Sequence, residues 1–437
     1  MRKLSSLFLP VIIATIIGLV GGIVISKHQA QIPLLSQFIN QEKKSENQYL
    51  AFLHEVRYTI TENYWDNITE RQLVNLHVLA IEKLTSQPLG TTIQTYEALD
   101  IKALELLTEY PDDKTRHEFT VQLADLVLAN LKPFGRSRLY SQQLEQELIE
   151  RVSNIDPNAD HYKALEVDPD APQEEIDQAY EEQKQKLADD DSPEAKEKLA
   201  QVEAAHDTLA DEATRSRYDE AGVNPTMEWR LLNNQIFYLH IKQFSPTTVQ
   251  ELAEITVKVD DRGSELDTLI LDLRGNIGGA IDGLPYFLGP FIGNNQYAYQ
   301  FIQQDSVTDF KTRTSRLPSL ARYKKIVILI DSQVQSTGEV MASVLKKYNV
   351  GVLVGTPTMG WGSIEKVFPL ENQLTDKEKY SVFLVHHLTL REDGTPIEGN
   401  GVEPMVNVQS EDWQGQLNKY FNDANLASAI DQQFASP

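Results

Sequence analysis

Ser336 lies in DSQVQSTGEVMASVLKK (331–347), where the β-type run KKIVILID gives way to a helical stretch. A hydroxyl presented on a strand-to-helix turn is a nucleophile once a base takes its proton. The N–H of Thr337, at the helix start, has no intrahelical acceptor and can face an anionic oxygen. A second loop of suitable composition, LDLRGNIGGAIDG, contains Gly275, Gly278 and Gly279. Glycine permits backbone shapes that leave N–H groups pointing at the same oxygen. Nucleophile and oxyanion donors are two of the three parts of an acyl-transfer site. Each feature alone has a plainer use, the loop as a tight turn and the serine as a helix N-cap. The third part, a base, is not evident beside the serine: GTPTMGWGSIE (355–365) offers Trp361.

The elements that must position these loops are short runs rich in Ile, Val, Leu and Phe: QIFYLHIKQF, LDTLILDL, KKIVILID, VGVLVG and YSVFLVHHLTL. Helical stretches such as TVQELAEITVKVD and GEVMASVLKKY lie between them. This alternation over 227–420 predicts an α/β layer with a mainly parallel sheet, whose sites form at the carboxyl ends of strands. Residues 421–437 are set apart as a C-terminal tail. Upstream, 31–153 reads as a helical domain, with Leu50, Leu53, Val56 and Ile60 at amphipathic spacing and Pro133 and Gly135 breaking the pattern. A further segment, 156–222, is rich in Glu, Asp, Lys, Gln and Ala and carries two prominent helices.

Residues 1–30 read as an N-terminal anchor. Leu7–Ile25 carries no charge, about the length needed to span a bilayer, and Arg2 and Lys3 put the N-terminus in the cytoplasm. A cleaved secretory signal is the rival reading; SKHQAQIP is a poor cleavage site and favours the uncleaved anchor. Both readings place the bulk outside the cytoplasm, on the periplasmic or cell-surface side of a bacterium. The net charge of −24 in 437 residues argues against a nucleic-acid partner. Absence of cysteine excludes disulfides and thiol catalysis, and no histidine spacing suggests a metal site or calls for a cofactor.

DLRGNIGG, QSTGEVMASVLKKYNVGVLVGTPTMGWGSIE and REDGTPIEGNGVEP occur in an order and spacing that resemble the C-terminal processing, or tail-specific, serine peptidases. The resemblance covers roughly 230–408 and implies a ClpP/crotonase-like α/β (α+β) core acting on polypeptide. It puts Ser336 at the nucleophile, Glu339 at the end of the serine motif, and Gly278 or Gly279 with Thr337 in the oxyanion hole. The lysine that serves as base in the bacterial branch is replaced by Trp361, and the glutamine four residues on by Glu365. An indole N–H donates only and cannot accept the serine proton. Substitute bases are Glu365, His240, His386 or the adjoining His387. The alternative is a pseudopeptidase that binds polypeptide without cutting it. Residues 160–222 resemble a small all-α J-domain in place of the family's PDZ domain, through DHYKALEVDPDAPQEEIDQAY and VEAAHDTLADEATRSRYDEAG. Ala188, Asp189 and Asp190 stand where the His-Pro-Asp tripeptide belongs, which argues against a chaperone ATPase partner and for a docking or spacer role. Homo-oligomerisation is left open.

Overall fold

A computed structural model of the protein describes residues 47–435 apart from 90–92, 189, 261–264 and 392. The expected membrane span at 7–25 lies outside the described residues, and among those described no helix is long and apolar enough to cross a membrane. The chain forms two compact units. The first holds the residues up to Ile149 and Glu365–His386; the second holds Glu150–Ile364 and the residues from His387 on.

In the first unit, α1 (Gln48–Asn63), α2 (Glu70–Thr85), α3 (Tyr96–Glu109) and α4 (Asp113–Ala129) each begin at a side-chain cap, respectively Asn47, Thr69, Thr95 and Asp112. The caps satisfy N–H groups that a helix start leaves without acceptors. The stripe of Leu50, Leu53, Val56 and Ile60 is buried, as its spacing predicts. β1 (Arg138–Ser141) pairs antiparallel with Tyr380–Phe383, and Val382 and Leu384 join the helical core.

One polar group in that core has no compensation. His77 on α2 is buried, its Nδ1 bonded to the Leu73 carbonyl at 2.8 Å, and its Nε2 has no partner among the described residues. Burial lowers its pKa from 6.5 to about 4. The unfolded chain therefore takes the proton first. Stability is unaffected by this group above pH 6.5 and falls as pH drops from there to about 4, by about 1.4 kcal/mol per unit of pKa difference. His77→Leu should flatten that part of the profile when unfolding of the full chain is followed from neutral pH downward. An unchanged acid slope would show that other groups set it.

After α5 (Gln142–Ser153), the second unit begins with a four-helix insert: α6 (His161–Leu165), α7 (Gln173–Leu187), α8 (Pro193–Leu209) and α9 (Glu212–Ala221). Tyr162, Leu165, Ile176, Val202, Ala205 and Leu209 form its core, with Val167, Ala179 and Tyr180 packed against them. The two ends of the insert are tied together. Ile155 bridges Val223, and the Asn154 side-chain amide donates to the carbonyls of Asn224 and Pro225.

The rest is an α/β layer. Its elements are β2 (Met227–Leu231), β3 (Ile236–Ile241), α10 (Thr248–Asp260), β4 (Thr268–Asp272), α11 (Leu284–Ile292), β5 (Tyr297–Gln303), β6 (Ser306–Lys311), α12 (Pro318–Ala321), β7 (Lys325–Ile330), α13 (Thr337–Lys347), β8 (Val352–Gly355), β9 (Ser363–Pro369), β10 (Tyr380–Leu390), β11 (Val406–Asn407), α14 (Trp413–Phe421) and α15 (Ala424–Ala435). The main sheet has the order β11-β8-β7-β4-β3-β2, parallel except for the edge strand β2. Alternate residues of each strand serve opposite faces. Phe237, Leu239, Leu269 and Leu271 meet α10, α11 and α13, while Tyr238, Ile270, Val327 and Val354 meet α14 and α15. Thus 424–435, set apart as a tail in the sequence reading, forms a helix that buries Leu426 and Ile430 on the sheet. The β5–β6 hairpin pairs with Leu388–Leu390 at the end of β10.

Candidate active site

β4 and β7 are parallel neighbours, with Asp272 opposite Leu329, so the loops that follow them leave the sheet side by side. The glycine loop follows β4 and the serine turn follows β7. Asp331 Oδ1 accepts from the N–H groups of Gly275, Gln333 and Val334, which joins the two at their bases. Asn276, fully buried, joins them again: its backbone carbonyl accepts from Gln335 N–H at 3.0 Å, and its side-chain amide donates to the Ile241 carbonyl at 2.7 Å. A third link runs from Thr337 Oγ1 to the Gly279 carbonyl at 2.8 Å.

This stitching brings Gly278 against Ser336. A Cβ at 278 would lie 2.6 Å from the Ser336 Cβ, and one at 279 would lie 2.0 Å from the Phe244 carbonyl oxygen. Both glycines have positive φ, 85° and 122°, a region side chains disfavour. The Gly278 N–H donates to Asn276 Oδ1 at 2.9 Å and is therefore occupied. The N–H groups of Gly279 and Thr337 have no acceptor among the described residues. Ser336 has φ 53° and ψ −124°, unusual for a residue with a side chain.

Glu339 holds that conformation. It is fully buried; its Oε2 accepts from Ser336 N–H at 3.1 Å and Trp361 N–H at 2.7 Å. Its Oε1 accepts from Gly360 N–H at 2.7 Å and the Thr358 hydroxyl at 2.5 Å. Burial pushes its carboxyl above the usual range, and these donors pull it back only in part. Trp361 is bound to the serine through the main chain, its carbonyl accepting from Ser336 N–H at 3.0 Å.

Among the described residues no histidine, lysine or carboxylate hydrogen-bonds the Ser336 hydroxyl. His240, on β3, is engaged at both nitrogens, with Glu228 Oε1 at 2.9 Å and the Arg274 carbonyl at 3.0 Å. A ring nitrogen facing a carbonyl or a carboxylate donates, so this imidazole offers no lone pair. Despite burial, the Glu228 contact and the nearby Asp272 charge raise its pKa. Glu365, on β9, and His386, stacked on Phe368, belong to the first unit. His387 belongs to the second and packs on Phe301. Asn276, Asp331 and Thr358 were not singled out from the sequence. An amide inside a glycine loop, at 276, was the one available hint.

A serine on a strained strand-to-helix turn, facing a glycine loop at the carboxyl ends of parallel strands, is the layout of a serine hydrolase. Residues 235–408 match the family model of Peptidase family S41, and residues 160–219 match that of the DnaJ domain. The chain thus contains an S41-type peptidase core with a J-type domain before it, as its motifs implied. It is 26% identical over 181 residues to a carboxy-terminal-processing protease of Bartonella bacilliformis, covering 41% of this chain and 40% of that protein. To the carboxy-terminal processing protease CtpB of Bacillus subtilis it is 24% identical over 186 residues, 43% of this chain and 36% of the relative. The match therefore spans less than half the length of either relative. Among solved structures, the photosystem II D1 C-terminal processing protease superposes with a TM-score of 0.48 at 14% identity, covering 83% of this chain and 94% of that one.

Glu339→Gln would turn one acceptor oxygen into an NH2 facing backbone N–H donors. Stability should drop by roughly 2 to 4 kcal/mol, the scale of buried donors left unsatisfied, measured by urea denaturation. A loss under about 0.5 kcal/mol, the range of ordinary surface substitutions, would show that the carboxylate is not the pin of the serine turn.

Proposed function

We propose that this protein is a serine-type peptidase of the C-terminal processing kind, anchored by residues 7–25 with its bulk outside the cytoplasm, and that Ser336 is its nucleophile. The observation that carries this reading is the strained Ser336 backbone set against two glycines whose positions admit no side chain. Ser336 is the N-cap of α13, with Glu339 as its capping-box partner, yet an N-cap ordinarily sits in the extended region and this one does not. The Ser336 hydroxyl attacks the scissile carbonyl of a polypeptide, and its oxygen, as it gains charge, accepts from the N–H groups of Gly279 and Thr337. The hydroxyl proton must pass to a base. Glu339 is saturated by four donors and His240 donates from both nitrogens, so the base is neither.

A second reading has its own support. Among the described residues no basic side chain hydrogen-bonds the Ser336 hydroxyl, and tryptophan stands where the resemblance puts a lysine. On this reading the pocket holds a polypeptide carbonyl without cutting, as a binding scaffold.

Casein hydrolysis and labelling by a fluorophosphonate probe separate the two. The peptidase should do both, and Ser336→Ala should abolish both. Peptide binding with neither would establish the scaffold. Trp361→Lys supplies a base at the position in question and should raise the cleavage rate by about 100-fold, the lower end of what a positioned base contributes. No gain in that variant, with its fold intact, would mean that the lysine position is not beside the nucleophile.

A further inference from the structure

Ile277 lies in the glycine loop, and its N–H donates to the Lys242 carbonyl at 3.3 Å. The ammonium of the same lysine reaches Asp207 Oδ2, on α8 of the insert, at 2.9 Å and Glu228 Oε2, on β2, at 3.2 Å. Glu228 accepts at its other oxygen from His240 Nδ1, and His240 Nε2 donates to the Arg274 carbonyl, one residue before Gly275. The loop is therefore held at Arg274 by a chain of charged side chains and at Ile277 by the main chain of Lys242, whose ammonium links that chain to Asp207 of the insert. Lys242 favours the Asp207 charge, while burial and the neighbouring Glu228 outweigh it and push that carboxyl above its usual range. Burial opposes ionisation at Glu228, yet His240 and Lys242 keep its carboxyl well below the usual range. Burial likewise opposes the Lys242 charge, and Asp207 and Glu228 outweigh it.

We infer that Lys242 is a positioning residue that couples docking of the J-type insert to the shape of the Arg274–Gly279 loop. The inference rests on reading that loop as the carbonyl pocket, and the coupling itself is measurable without catalysis. Two other ion pairs fasten the insert to α10: Arg217 with Glu254 at 2.9 Å, and Asp211 with Lys258. Among the described residues neither Glu254 nor Lys258 bonds the glycine loop, so these pairs hold the insert without reaching the pocket. Asp207 and Lys242 also line a cavity of about 1010 Å³ between insert and sheet. A polypeptide segment lodged there meets the coupling pair directly.

Hydrogen–deuterium exchange on the full chain tests this. Asp207→Asn removes the charge from the insert and touches no loop residue, yet it should speed exchange of the 275–280 amides about tenfold. Lys242→Met should do the same, and Asp207→Glu should restore wild-type exchange. Lys258→Met should loosen the insert helices and leave the loop unchanged. The inference is overturned if Asp207→Asn loosens the insert alone, or if Lys258→Met speeds the loop as much as Asp207→Asn does. Probe labelling of Ser336 is recorded alongside. A wild-type protein that does not label counts against the peptidase reading, while the exchange comparison still decides the coupling.

Discussion

Glu339 gathers four hydrogen-bond donors from two stretches of chain onto one buried carboxylate: the serine turn at 336, and the loop at 358–361 through the Thr358 hydroxyl and the N–H groups of Gly360 and Trp361. Thr358 carries the connection further, since its hydroxyl also accepts from Val402 N–H at 2.7 Å. A charge removed from water survives only where donors replace the lost hydration. Here the donors are mostly backbone groups that would themselves be costly to bury unpaired. The requirement is mutual. Without the carboxylate the loop at 358–361 has nothing to close on, and without the loop the carboxylate has no reason to stay charged.

That mutual requirement lets Ser336 keep a backbone shape that costs on the order of 1–3 kcal/mol. The strain is spread over a fixed frame. Asn276 and Asp331 tie the glycine loop to the serine turn at several atoms, and Gly278 and Gly279 leave no room for adjustment. Among the described residues the N–H groups of Gly279 and Thr337 consequently have no acceptor. Donors fixed before substrate arrives need no reorganisation when charge develops, which is the physical content of an oxyanion hole. The same rigidity serves a binding scaffold, so the frame by itself does not choose between cutting and holding. A base decides whether recognition becomes hydrolysis.

The sheet and its helices were legible because burial on both faces leaves a mark on every strand residue, as in LDTLILDL, where Thr268–Asp272 is buried throughout. Ser336 and the paired glycines were legible because few residue types can do what they do. The linking residues were not. Asn276 bonds the Ile241 carbonyl 35 positions away, and Thr358 bonds Glu339 and Val402, partners that no local pattern announces. His240 shows the limit most clearly. Its type suggested a base, and only the register of β2 against β3, which sets Glu228 opposite it, reveals an imidazole committed as a double donor. Side-chain type proposes chemistry; strand register disposes of it.

The insert makes the same point at the scale of a domain. Its likeness to a J-type module invites a chaperone partner, but Ala188, Asp189 and Asp190 stand in sequence where that likeness calls for His-Pro-Asp. Three of its charges, Asp207, Asp211 and Arg217, pair with Lys242, Lys258 and Glu254 of the core. Partly exposed ion pairs contribute about 0.2–1 kcal/mol each, so these three do not lock the insert down. Its two ends, pinned to each other at Ile155–Val223, keep it close whatever the pairs do. The insert's ion pairs thus run to the core, while the tripeptide by which a J-type module would recruit ATP-driven machinery has no counterpart in its sequence.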